Sequence, residues 1–212
     1  MQTAIKIFKN RKDAGMQLGA FLKTEFAREH PLILGIPRGG VEIAYYVART
    51  LETDFTVVVA KKLGYPGQEE LAFGAMAEDG SVYITPFGKL NLNEKAIEEV
   101  VARQWKEIER RTGEYRQGQG LPSFKNRTVI IVDDGIATGA TFVPTINLCK
   151  KKGAAKVVVA APVSPSSSLD LLKEADEIRV IEQPDPFYAV GQFYEDFAEV
   201  SDQEVLDFLH AS

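Results

Sequence analysis

The chain has 212 residues, enough for one α/β domain with a sizeable core, and its 45% hydrophobic and 26% charged content is ordinary globular usage. A formal net charge of -5 disfavours a nucleic-acid binder that relies on a broad basic field, and apolar runs such as Val157 to Val163 are far too short to cross a bilayer. One cysteine, Cys149, excludes an internal disulfide and fits a reducing cytoplasm; with two histidines beside it, a Cys/His zinc site is implausible.

Met1 to Lys9 carries no secretory apolar stretch. Asn10 is placed to cap a helix to about Glu29, with Ala14, Leu18, Phe21, Leu22 and Phe26 on one face, and Pro31 ends it. Leu32 to Ile36 reads as a buried strand, Pro37-Arg38-Gly39-Gly40 as a tight loop and Val41 to Leu51 as a helix. Phe55 to Ala60 reads as a second buried strand, followed by a loop with Gly64, Pro66 and Gly67. Leu71 to Ala77 and Ser81 to Ile84 form a predicted hairpin around Asp79-Gly80. Asn93 opens a long helix to about Tyr115, whose apolar face is Ile97, Val100, Val101, Trp105 and Ile108.

The second half repeats the rhythm. Thr128 to Val132, Val157 to Ala161 and Ile178 to Ile181 read as strands. Gly139 to Lys152, Ser167 to Ala175 and Asp202 to His210 read as helices, and Pro184 to Phe197 as an aromatic-rich loop. Pro144 inside a helix from Gly139 would delete a backbone hydrogen bond, so that helix either kinks or starts later. Buried apolar runs separated by helices predict an α/β fold, a mostly parallel Rossmann-like sheet flanked by helices. Residues 1–212 are taken as a single domain, with the terminal segments building a small hood beside the sheet.

The chemistry concentrates in Asp133-Asp134-Gly135-Ile136-Ala137-Thr138-Gly139-Ala140-Thr141, directly after a strand. Ligands of open α/β sheets sit beyond the carboxyl ends of the strands. Two adjacent carboxylates repel, so hydroxyl donors or a cation must compensate them. Small residues let the backbone curl around a ligand, and the following helix start favours a phosphate. Together these features read as a sugar-phosphate site. Acidic pairs after strands also occur in receiver domains, or simply as solvated turns; here no clear phosphoacceptor Asp stands at another strand end. Neither a Walker A loop nor a Rossmann fingerprint is present.

Pro37-Arg38-Gly39-Gly40 also sits between a strand and a helix, where Arg38 can fork onto phosphate oxygens; the alternative is a plain Pro-Gly turn with an exposed arginine. Lys61 and Lys62 either meet the same phosphates or merely solvate a strand end. Phe187 and Tyr188 either stack on a planar ligand or pack as a cap over the sheet.

The acidic segment resembles the phosphoribosyl pyrophosphate motif of type I phosphoribosyltransferases: apolar run, two acids, spacer, Thr-Gly-x-Thr. Gly135 departs from the pattern, since many members carry an apolar residue there. The order of Asn-Arg-Lys-Asp-Ala-Gly, Ile-Pro-Arg-Gly-Gly, Lys-Lys-Leu-Gly-Tyr-Pro-Gly and Ala-Val-Gly-Gln-Phe-Tyr is similar to phosphoribosyltransferase-domain proteins with poorly defined acceptors, and it covers most of the chain. The resemblance implies that Asp133 and Asp134 hold the ribose hydroxyls and, through bound substrate, Mg2+. It implies that Ile136 to Thr141 cradle the 5′-phosphate, that Pro37 to Gly40 form a pyrophosphate loop with a cis Pro37–Arg38 bond, and that Gly64 to Leu71 form a lid. Arg38, Lys61 and Lys62 would stabilise the leaving pyrophosphate, and Phe187 and Tyr188 would select the acceptor. The expected activity is transfer of a phosphoribosyl group to a nitrogenous acceptor, such as a nucleobase, by a cytoplasmic homodimer. The alternative is a non-catalytic regulator that senses a nucleotide or phosphoribosyl pyrophosphate on the same fold.

Overall fold

The computed structural model describes residues 7–211, without the side chain of Glu70, so most of the Met1 to Lys9 segment and Ser212 lie outside the described residues. Helix α1 (Arg11–Phe26) starts where Asn10 accepts the Asp13 amide at 2.9 Å. It buries Ala14, Leu18, Leu22 and Phe26, but Phe21 lies off that stripe and is 44% exposed. Strand β1 (Leu32–Gly35) leads into α2 (Gly39–Leu51), so Gly39 and Gly40 are already the first turn of a helix rather than loop.

The expected strand Phe55 to Ala60 divides in two. Strand β2 (Phe55–Val57) pairs parallel with β1, whereas β3 (Ala60–Tyr65) leaves that sheet to pair antiparallel with β4 (Gln68–Ala77). The switch is held at Val58, whose amide donates to Gly35, and at Val59, whose amide donates to the Glu78 carboxylate at 2.7 Å. Strand β5 (Val82–Ile84) completes this three-stranded sheet, as the hairpin pattern predicts. Residues Gly64 to Leu71, the expected lid, form the far end of the β3–β4 hairpin.

A short α3 (Pro86–Asn91) precedes α4 (Glu94–Arg116), capped by Asn93. The apolar face of α4 turns inward: Val100 and Ile108 are buried, and Ile97, Val101 and Trp105 pack against the same core as β3, β4 and the terminal helix α6 (Asp202–His210). Strands β6 (Thr128–Val132), β7 (Lys156–Val163) and β8 (Glu177–Glu182) complete a five-stranded, wholly parallel sheet of order β2-β1-β6-β7-β8. Helix α5 (Phe142–Lys151) starts three residues later than expected, which puts Pro144 in the first turn, where its missing N–H is not needed. Ser167 to Ala175 is not an α-helix. Residues Ser166–Leu172 form 3-10 turns instead, and Ser168 Oγ donates to the Ala137 carbonyl of the acidic loop.

One core cluster lies on each face of the parallel sheet, and a third lies under β3, β4, α4 and α6. The two ends of the chain meet beside the carboxyl edge: Phe8 bridges Tyr194, and the amides of Glu195 and Asp196 donate to the carbonyls of Phe8 and Lys9. No helix among the described residues is long and apolar enough to cross a membrane.

Candidate functional site

The acidic pair stands at the carboxyl end of β6, in the middle of the parallel sheet. Beside it opens a cavity of about 370 Å³. Pro37 and Ile36 form one wall; Lys61, Lys62 and Gly64 of β3 form another; Asp133 and Thr141 close the floor. Helix α4 supplies Arg103, Gln104 and Arg111, and Glu69 reaches in from the hairpin. Arg103 pairs with Glu69 at 3.3 Å, and Arg111 with Glu107 at 2.7 Å. Four cationic side chains thus line the cavity against the carboxylates of Glu69 and Asp133. This local surplus sits within an acidic chain, and it suits a ligand carrying several negative charges. Burial pushes the Lys61 ammonium below its ordinary range, and the nearby Arg111 charge adds to the effect.

The two acids have different surroundings. Burial, followed by the Asp134 charge, raises the Asp133 carboxyl well above the usual range. Burial also raises Asp134, but there the Arg11 guanidinium opposes it, with Nε donating to Oδ2 at 2.8 Å. The Asp134 amide donates to Asp133 Oδ1 at 2.8 Å, and Tyr194 Oη donates to the Asp134 carbonyl at 2.6 Å. Gly135 lies beneath the hood: a Cβ there would come within 2.5 Å of a Val190 methyl. The residue that departs from the motif is therefore matched by a side chain filling its place.

Past Gly135 the backbone wraps tightly. The Ile136 amide donates to Val163, and Phe142 donates back to Gly139, whose φ is +76°. Ala137 and Thr138 are exposed at the turn, while Gly139 and Ala140 are buried. Thr141 stands at the N-cap position of α5, without a capping bond from its side chain, and lines the cavity. The amides of Ala137, Thr138, Gly139 and Thr141 donate to no acceptor among the described residues, and such a turn ahead of a helix suits a phosphate.

The Pro37–Arg38 peptide is cis. Pro37 lines the cavity, whereas the Arg38 guanidinium is engaged by Glu199. Gly39 packs directly under the Asp134 carboxylate. Lys61 and Lys62 reach the cavity from an antiparallel strand rather than from the edge of the parallel sheet. Phe187 stacks on Phe193 at 4.9 Å, and Tyr188 is 85% exposed; neither lines this cavity.

Sequence reasoning missed Arg11, Tyr194 and Glu199, which reach the acidic loop and Arg38 from the ends of the chain, and Arg103 and Arg111 on α4. Arg11 had a signal: it falls in register with Ala14, Leu18 and Leu22 on the buried stripe of α1, and a buried arginine needs an anionic partner. Gln104 and Arg111, two turns apart on one face of α4, offered a weaker one.

A family model described as phosphoribosyl transferase domain matches residues 1–198. A protein of Mycobacterium tuberculosis H37Rv, named provisionally as a phosphoribosyl transferase, is 39% identical over 208 residues, covering 97% of this chain and 47% of that protein. The chain thus spans about half the length of the curated relatives it matches so extensively. The crystal structure of TT1426 from Thermus thermophilus superposes with a TM-score of 0.80 at 36% identity, covering 96% of this chain and 97% of that one. A shorter match, 32% identical over 83 residues, covers 39% of this chain and 42% of a protein of Methanosphaera stadtmanae named transcriptional regulator GfcR.

Proposed function

The chain belongs to the phosphoribosyl transferase domain family, and we propose that its cavity binds phosphoribosyl pyrophosphate and transfers the phosphoribosyl group to a nitrogenous acceptor, with a nucleobase as the first class to test. The observation that carries this reading is the meeting of Lys61, Lys62, Arg103 and Arg111 with Asp133 and Thr141 around one cavity. The cations receive the pyrophosphate, Asp133 and its neighbour Asp134 supply carboxylate oxygens for the ribose hydroxyls, and the amides from Ile136 to Thr141 take the 5′-phosphate. Arg38 joins the pyrophosphate by exchanging Glu199 for a phosphate oxygen.

The acceptor nitrogen forms its bond to C1 of the ribose as the C1–O bond to pyrophosphate breaks, the electron pair leaves with pyrophosphate, and the proton of the acceptor N–H passes to water or to the departing pyrophosphate. The cationic wall stabilises that developing charge, and positioning supplies much of the remaining catalysis. Magnesium fits this donor set as an ion carried by the substrate. Asp133 is the aspartate lining the cavity, and Mg2+ takes few protein ligands beside phosphate oxygens and water. When bound, it would offset pyrophosphate charge next to Asp133. Phe187 and Tyr188 remain the proposed acceptor contacts, from the hood.

The test is pyrophosphate release with the magnesium donor and a panel of nucleobases and other nitrogen compounds. Release with one acceptor and loss in Lys61→Ala/Lys62→Ala supports the enzyme; absence of donor binding by calorimetry refutes the site. The match to a named regulator favours a second reading, a non-catalytic sensor, selected by tight donor or nucleotide binding without turnover across the panel. The homodimer belongs to the same proposal; the apolar face of α4 packs against the core, and the half-buried Tyr45 and Tyr46 pack on Phe208. A cytoplasmic location is likewise proposed.

A further inference from the structure

Arg11 is only 8% exposed, and its guanidinium is held on three sides. Nε donates to Asp134 Oδ2 at 2.8 Å, NH1 donates to the Ala198 carbonyl at 2.6 Å, and Cζ lies 3.9 Å from the centre of the Phe197 ring. Phe197 stacks at 4.8 Å on Tyr194, whose hydroxyl holds the Asp134 carbonyl, and Tyr194 packs at 5.4 Å on Phe8. Asp134 is thereby gripped by both ends of the chain, while Asp133, its neighbour, lines the cavity.

We infer that Arg11 is a positioning residue that clamps Asp134 to the hood and so fixes Asp133 toward the ligand, giving the two adjacent acids separate tasks. This rests on the reading that the cavity takes phosphoribosyl pyrophosphate. Two neighbouring carboxylates without a cation repel and tend to share one proton. A guanidinium beside one of them removes that frustration and also fixes its direction. Lysine cannot do the same: the planar fork reaches a carboxylate and a carbonyl while its central carbon sits over a ring, and an ammonium has no such shape. The charged and titratable groups around the pair are Arg11 from α1, Glu42 from α2, Lys62 from β3, and Tyr194 from the hood.

The experiment compares wild type with Arg11→Met, Arg11→Lys, Asp134→Asn and the double variant Arg11→Met/Asp134→Asn. Two readouts are used: carboxyl carbon NMR titration of Asp133 and Asp134 without ligand, and calorimetry of the magnesium donor across pH. Arg11→Met should move the Asp134 titration upward and weaken donor binding roughly tenfold or more, the scale of one charge-assisted hydrogen bond. The loss should deepen toward acid pH. Arg11→Lys, which retains the cation and should fold where the Met variant does not, should recover the titration in part but not the affinity. In the Asp134→Asn background, removing Arg11 should cost little further affinity. Wild-type affinity and titration in Arg11→Met overturn the inference, as does an equal loss of affinity with and without Asp134. Failure of the wild type to bind the donor would instead refute the substrate reading, and the titration would still judge Arg11.

Discussion

A Cβ at Gly39 would lie 2.0 Å from Asp134 Oδ2 and 2.6 Å from Arg11 Nε, far inside van der Waals contact. Gly39→Ala should therefore push the acidic loop out of place and abolish donor binding measurable by calorimetry, while circular dichroism still reports the parallel sheet. Asp133→Asn acts differently. Its folded carboxyl is raised above the unfolded value, so the folded state binds more protons and loses stability as pH rises past that point. The variant should melt higher than wild type at neutral pH, match it in acid, and bind the donor more weakly; a lower Tm at neutral pH contradicts this. The pair itself was legible, because a strand of four apolar residues ends on two acids and small residues follow. Arg11 was not, because its partners are 123 and 187 residues away and no local pattern encodes them.

At the scale of elements, α4 is tied to the switch between the two sheets by Arg116 and Glu78, joined at 2.5 and 2.9 Å with side chains 10% and 7% exposed. Glu78→Ala would leave Arg116 buried without its partner and free the Val59 amide, a loss of about 3–5 kcal/mol, read as a lower midpoint in urea unfolding. Glu107 carries a pH signature on the same helix. Hydrogen bonds from Arg110 and Arg111 lower its carboxyl to about 2, so its contribution is complete above the unfolded value and fades as pH falls toward 2. Wild type should lose more Tm than Glu107→Gln between about pH 4.5 and 2, since the unfolded carboxyl titrates near the top of that window. Helix starts were readable from Asn10, Asn93 and the strand-helix rhythm, because caps are local chemistry. The division of Phe55 to Ala60 was not: a continuous apolar run looks the same whether it stays in one sheet or crosses to another. That misreading also hid how Lys61 and Lys62 reach the cavity.

For the whole molecule, the magnesium donor at about 100 times its dissociation constant should add roughly 2.7 kcal/mol and raise Tm by about 5–10 °C. An unchanged melt at millimolar donor counts against the site. Light scattering at tens of micromolar protein should give twice the chain mass, and a monomer mass refutes the homodimer. The parallel α/β layout was legible because its buried strands are continuous apolar runs, and TT1426 has the same arrangement at a TM-score of 0.80. The grip of the chain ends on the acidic loop was not legible, since Phe8 and Tyr194 meet only in the finished fold.

That closure has a consequence for the order of synthesis. All five parallel strands have been synthesised once Glu182 is added, but Tyr194, Phe197 and Ala198, which complete the setting of Arg11 and Asp134, follow it in the chain. A chain cut within that interval keeps every strand of the sheet and still holds an incomplete acidic loop. Competence of the acidic loop would then wait on the segment that follows the last strand of the sheet and closes onto Arg11.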